Sequence, residues 1–185
     1  MTVGVDAVLD ANVLFPSSLR DTLLRAASAN MYRLHWTDDI LEEVRRNLIA
    51  KRMSDERANR LITQMRRASP DALVTMHQPH VTLMTNDPKD RHVLAAAVVS
   101  KSSVVVTCNL RDFPPVALAP FGVEAQPPDD FLTDLLTQDA DLMLRLLAEQ
   151  ARDLRRPQKT FSELLDILAQ HAPSFVSLVR RSLTP

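Results

Sequence analysis

Residues 102–109 read "SSVVVTCN". Three consecutive β-branched apolar residues, with no polar residue alternating among them, describe a strand covered on both faces, as in a parallel sheet flanked by helices. A second apolar run, Val5 to Leu9, is interrupted only by Asp6 and ends at Asp10. Between these runs the spacing turns helical. After the punctuation at Pro16-Ser17-Ser18, Leu19, Leu23, Leu24 and Ala27 recur on one face. "YRLHW" (32–36) reads as a short strand, and Thr37 is placed to cap "DDILEEVRRNLIAKRM", where acids precede bases in the order a helix dipole favours. Residues 55–68 carry Ala58, Leu61, Ile62 and Met65 on a second helical face. Val81 to Met84 reads as a short strand or an extended connector. Pro88 then stands near the start of a helix whose Ala95, Ala96 and Ala97 permit close packing, and "PFGVEAQPPDDFL" (120–132) supplies an edge strand and a helix entry. Strands alternating with helices predict an α/β sandwich with a mainly parallel sheet.

Beyond Thr137 the pattern is helical only. Leu144, Leu147, Ala151 and Leu154 share one face; Phe161, Leu164, Leu165 and Leu168, after Pro157, share another; Phe175, Leu178 and Val179, after Pro173, make a third. The expected organisation is an α/β domain over residues 1–137 and a three-helix appendage over 138–185. From Asp139 onward the chain carries six acids and seven bases, a near balance that does not make an electrostatic arm for nucleic acid. This appendage is read either as a cover for the core or as a docking or dimerisation surface.

Composition removes several function classes. Only two glycines, Gly4 and Gly122, occur in 185 residues, so neither a Walker A loop nor a dinucleotide-binding fingerprint can be written. Cys108 is the single cysteine, which excludes an intrachain disulfide framework and a cysteine-based zinc site. The N-terminus lacks the pattern of a signal peptide and no run approaches the ~20 apolar residues of a membrane span, so a soluble, cytoplasmic protein without membrane contact is expected. A formal net charge of -1 confines any nucleic-acid contact to a local patch.

In an open parallel sheet, ligands gather at the carboxyl ends of the strands. Asp10 ends the first strand, and Asn109 and Asp112 follow the "VVVT" strand directly. Glu42 and Glu43 enter from the helix after "HWT", and Asp87 and Asp90 flank the start of the "RHVLAAA" helix. Carboxylates converging there would repel one another unless a cation compensates them. An oxygen-only donor set with no clustered His or Cys points to Mg²⁺ or Mn²⁺ rather than zinc. The chemistry such a site supports is phosphodiester hydrolysis.

The motifs "VLDANVLF" (8–15), "ILEEV" (40–44), "DRHVLAAA" (90–97) and "VVVTCNLRDF" (104–113) resemble, in order and approximate spacing, those of the PIN-domain ribonucleases, particularly the VapC toxins of bacterial toxin-antitoxin pairs. The resemblance covers about the first three quarters of the chain. It implies a PIN-like α/β/α fold and a metal-dependent endoribonuclease whose acids are Asp10, Glu43, Asp90 and Asp112. It also implies an antitoxin partner and a homodimer in which paired domains share an RNA groove. Glu43, immediately before Val44, fits the second motif better than Glu42. Asp87 is an extra acid, either a neighbour of the metal shell or a helix cap. Asn109 stands where some relatives carry aspartate, and Asn12 and Thr107 are placed to hydrogen-bond the carboxylates from behind.

Several residues have plainer readings. A strand-end aspartate commonly caps the next turn, the Glu42-Glu43 pair suits an exposed helix start, and Asp112 could end a turn above Phe113. Counting about 100° per residue from Asp90 turns His92 away from the acids; His35, His77, His80 and His171 are scattered singly. Arg45, Arg46, Lys51, Arg52, Arg66 and Arg67 lie on two helices that could grip a phosphate backbone, Arg111 is the best placed for an RNA phosphate contact, and Trp36 is expected in the core. A haloacid-dehalogenase-like phosphatase also begins with a strand-end aspartate, but needs an acid where Asn12 stands. The expectation is therefore an endoribonuclease, with a catalytically silent PIN-like module that binds RNA or protein as the alternative.

Overall fold

The computed structural model describes residues 4–75, 78–154 and 158–183. His77, Arg155, Arg156 and Pro157 lie outside the described residues. The first strand, β1 (Asp6–Leu9), leads into a single helical turn, α1 (Ala11–Leu14), and then α2 (Ser17–Ser28). β2 (Arg33–His35) precedes α3 (Asp38–Ala50), where Thr37 accepts the Ile40 amide as the N-cap, and α4 (Asp55–Ala68). A short helix α5 (Gln78–Thr82) and α6 (Arg91–Ser100) follow, then β3 (Val104–Val106), α7 (Pro115–Leu118) and β4 (Glu124–Gln126). The chain continues through α8 (Pro128–Gln138), α9 (Ala140–Asp153), α10 (Phe161–Leu168) and α11 (Pro173–Ser182).

All strand pairs are parallel, in the order β2-β1-β3-β4, with Ala7 opposite both Leu34 and Val104. The three valines of β3 are buried, as the unbroken apolar run requires. From β1 the chain moves to one edge of the sheet to form β2 and later to the other side to form β3 and β4. The order therefore reverses between β1 and β3, and a crevice opens at their carboxyl ends. α6 presses on the sheet through a run from Val93 to Ala97 that is buried throughout, so the helix is covered on every side. The result is an α/β sandwich with a parallel sheet and C-terminal helices.

Two local expectations change. Val81 and Thr82 belong to the helix α5 and not to a strand. Proline occupies its second position, where a missing backbone N–H is no loss, and among the described residues no strand pairs with this segment. Edge pairing next to β2 comes instead from residues 72–74: Trp36 N donates to Ala72 O at 2.9 Å and Val74 N to Trp36 O at 2.8 Å. Trp36 itself is fully buried, as expected of a core residue.

The C-terminal helices are tied down by polar groups as well as apolar ones. In α9 the inward face carries Met143, Leu147 and Ala151, together with a fully buried Gln150 that apolar periodicity passes over. Gln150 Nε2 donates to Ser18 O at 2.9 Å, and Thr22 Oγ1 donates to Gln150 Oε1 at 2.8 Å, fastening α9 to α2. Asp129 of α8 accepts the Phe175 and Ser174 amides and so caps α11, while Thr160 and Glu163 form a capping box on α10. The Phe131 ring meets Tyr32 edge to face with centroids 5.0 Å apart. Among the described residues no helix is long and apolar enough to cross a membrane.

Candidate active site

At the reversal point lies a cavity of about 890 Å³ bordered by Asp10, Glu43, Asp90 and Asp112. Asp10 is only 3% exposed. Its Oδ1 accepts the Ala11 amide at 2.6 Å, so the plain reading as the cap of the next turn is also true of it. Its Oδ2 accepts the Thr107 hydroxyl at 2.7 Å and the Asn12 side-chain amide at 2.6 Å. Asn12 in turn accepts the Cys108 backbone amide at 2.9 Å and donates to Thr107 Oγ1 at 3.0 Å, locking the end of β1 to the end of β3. Thr107 is fully buried and also accepts the Asn109 backbone amide. Arg20, nine-tenths buried, donates to the carbonyls of Leu14 and Phe15 at the end of α1.

The adjacent glutamates divide. Glu42 accepts a bidentate pair of hydrogen bonds from Arg45, both 2.7 Å, and those bonds hold its carboxyl below the usual range. Glu43 borders the cavity, and burial together with the charge of Asp10 pushes its carboxyl up against smaller opposing effects of His92 and Arg46. Arg45 is further paired with Asp55, and Arg66 with Asp38 at 2.6 Å. Of the basic residues on α3 and α4, Arg46 is the one that reaches the cavity border.

Asp90 occupies the cap position of α6 with its carboxyl pushed up to about 7, by burial first and then by Asp10, Asp112, Glu43 and Asp87. Burial likewise raises the Asp10 carboxyl, overriding the Thr107, Ala11 and Asn12 hydrogen bonds and the nearby His92. Asp112 accepts from the Asn109 side-chain amide, and Arg111 Nε lies 3.5 Å from its Oδ1. Asp87 does not border this cavity; it accepts the Lys89 amide at 3.0 Å in the turn that leads into α6, and acts on Asp90 through its charge. The rim carries Arg46, Lys89 and an Arg111 whose side chain is 88% exposed.

His92 requires a correction. Its Nε2 lies 3.8 Å from Glu43 Oε2 and its ring borders the cavity instead of turning away. Helical counting from Asp90 fails because Asp90, at φ -107° and ψ 6°, has not yet entered the helix. Lys89, next to Asp90 in sequence, also borders the cavity, and its sequence pattern carries no sign of that.

Among the described residues no three His, Cys, Asp or Glu side chains are gathered into a ready-made cage. The donor chemistry nevertheless fits a hard divalent cation: the carboxyls present oxygen only, Asp10 is held rigidly by three donors, and Asp90 is raised by burial first and then by the charges of four neighbouring acids. Such a region can place a cation beside a phosphodiester while the rim of arginines and lysine meets neighbouring phosphates.

Residues 6–111 match the PIN domain family, and residues 128–181 match the VapC50 C-terminal domain. A protein of Mycobacterium tuberculosis (strain ATCC 25618 / H37Rv), named "Putative ribonuclease VapC50", is 36% identical over 118 residues, covering 62% of this chain and 70% of the relative. No solved structure matches.

Proposed function

Because the chain belongs to the PIN-domain family, we propose that it is an endoribonuclease that hydrolyses RNA phosphodiester bonds with Mg²⁺ or Mn²⁺, and that it acts as the toxin of a toxin-antitoxin pair in the cytoplasm. The observation that carries this reading is the convergence of Asp10, Glu43, Asp90 and Asp112 on one cavity where strand order reverses, with Asp90 raised to about 7. Those four residues would hold the cation. The chemistry that a bound divalent ion supplies is electrophilic, drawing charge from the phosphodiester and lowering the pKa of water.

The chain's own residues do the rest. Asn12 and Thr107 fix both rotation and position of the Asp10 carboxylate. Glu43 and Asp90 orient water for in-line attack at phosphorus, leaving a 5′-phosphate and a 3′-hydroxyl. Asn109 orients Asp112, and Arg111, Arg46 and Lys89 steer the strand by its phosphates. Partners in this reading are the RNA, a cognate antitoxin protein and a second copy of the chain. The C-terminal helices, taken from residue 138, form a separate extension of the nuclease domain.

The deciding experiment is cleavage of a labelled mixed-structure RNA with Mg²⁺, Mn²⁺ or chelator, comparing the wild type with Asp10→Asn and Asp90→Asn. Metal-dependent cutting that falls by about 10²–10³-fold in each variant is expected. Undiminished cutting by the variants would overturn the assignment of these acids. A folded wild type inert toward several RNAs with either metal would favour the silent binding module, for which the neutral Asn109 beside Asp112 is the supporting feature.

A further inference from the structure

A second cavity, of about 510 Å³, adjoins the acidic one and shares Arg111 and Asp112 with it. Its wall includes Asn86, Arg91, Pro88 and Pro114. Asn86 is 3% exposed, and neither its side-chain nitrogen nor its side-chain oxygen has a hydrogen-bond partner. The backbone around it is well anchored. Asn86 O accepts from Arg91 Nε at 3.3 Å, and the next amide, Asp87 N, donates to Asp112 O at 3.3 Å. The bare amide is therefore not a symptom of a loose loop. An unpaired buried amide lowers folding stability, and a leucine of similar size would carry no such penalty.

We propose that this cavity is a subsite for an unpaired nucleobase of the RNA next to the scissile phosphate, with Asn86 reading the base edge. The inference rests on the endoribonuclease reading above. A phosphate offers no donor for the Asn86 carbonyl oxygen, whereas a base edge offers a donor and an acceptor side by side, the pattern an asparagine amide complements. Arg91 and Arg111 supply positive charge for the backbone of the same nucleotide, and the two prolines supply flat apolar surface beside it. Continuity with the acidic cavity favours RNA over an extended peptide, because a strand whose phosphodiester lies among the acids brings its next base to this wall. Single-stranded RNA is read through splayed bases of this kind. The amide lies under the cavity surface, so binding displaces the Asn86 side chain outward.

The test uses the full-length protein in chelator, with the Asn86 side-chain amide resonance assigned through its own backbone, and adds pentanucleotides of A, C, G or U. At least one base should shift that resonance while inorganic phosphate does not. In metal-supported cleavage of a randomised RNA, Asn86→Leu should be at least as heat-stable as the wild type and should lose about 5–150-fold of discrimination at one position flanking the cut. A resonance unmoved by all four oligonucleotides, or moved equally by phosphate, overturns the subsite, as does an unchanged cleavage profile in Asn86→Leu. A base-specific shift in a protein that cuts no RNA sustains the subsite and removes the endoribonuclease reading instead.

Discussion

Asp10 and Gln150 are both almost completely buried polar residues, yet their surroundings differ in kind. Gln150 has both ends of its amide bonded to α2, and the helices around it carry a capping box, an aspartate cap borrowed from α8 and an aromatic contact with Tyr32. Each device there agrees with the fold it serves. Asp10 has three donors and still has its carboxyl raised, because burial outweighs them, and it shares a cavity with Glu43, Asp90 and Asp112. Local hydrogen bonding fixes its geometry without relieving its charge. One region is satisfied as it stands, and the other gathers four carboxyls in one cavity with Asp90 pushed up to about 7. Conflict of the second kind marks a site better than burial or cavity size does.

Removing one hydroxyl from the acidic region breaks that contrast most sharply. Thr107→Val keeps the side-chain shape but withdraws a donor from Asp10 and an acceptor from both Asn12 and the Asn109 amide. Divalent-metal affinity measured by calorimetry, and RNA cleavage with it, should fall about 10–100-fold. Affinity and cleavage both equal to wild type would mean that the network behind Asp10 is a structural tie only.

The converse change belongs to α9. Gln150→Ala opens a gap and leaves the Ser18 carbonyl and Thr22 hydroxyl with less company, at a cost of about 1–3 kcal/mol. For a chain of this length that lowers the midpoint of thermal unfolding by about 2–12 °C. Cleavage per folded molecule should be unchanged at a temperature where the variant is fully folded. A large drop in cleavage would couple the extension to the site and erase the division between the two regions.

Much of this division was legible in the sequence, and the exceptions have physical causes. The "VVVT" run announced a buried strand because burial on both faces abolishes alternation, and Thr37 announced its helix because the cap chemistry is local. Asp10 could be placed at the end of its strand because an apolar run stops there, whereas Asp112 lies six residues beyond β3, at the end of a short turn over Leu110–Asp112. His92 could not be oriented by counting from Asp90, since a cap residue has non-helical backbone angles. The choice between Glu42 and Glu43 depended on Arg45, one turn on, capturing Glu42. Gln150 and Asn86 escaped because a polar residue in a pattern reads as surface, and only tertiary packing reveals that it is buried. Val81 to Met84 reads as strand or connector because four apolar-leaning residues fit an extended segment or a helix equally well, and only a pairing partner decides between them.

The smallest effect concerns pH, and its sign follows from the direction in which Asp90 moves. Its carboxyl is near the ordinary aspartate value of 3.8 when unfolded and at about 7 when folded. The folded protein therefore holds that proton more tightly than the unfolded chain does, and stability falls as pH rises between those values. The favourable contribution is complete below about pH 4 and is lost as pH passes through about 7. Asp90→Asn cannot ionise, so in chelator it should melt higher than wild type at pH 8 and at the same temperature near pH 4. Solvent reaches Asp90 and screens the repulsion, so the gain at pH 8 is discounted to about 1 kcal/mol, or about 2–4 °C. Mg²⁺ or Mn²⁺ should raise the wild-type midpoint at pH 8 and raise that of Asp90→Asn less, because the ion compensates the charge that the substitution deletes. Equal midpoints at pH 8 would show that Asp90 is already neutralised within the protein, and the acidic cavity would then be as internally satisfied as the helices beyond it.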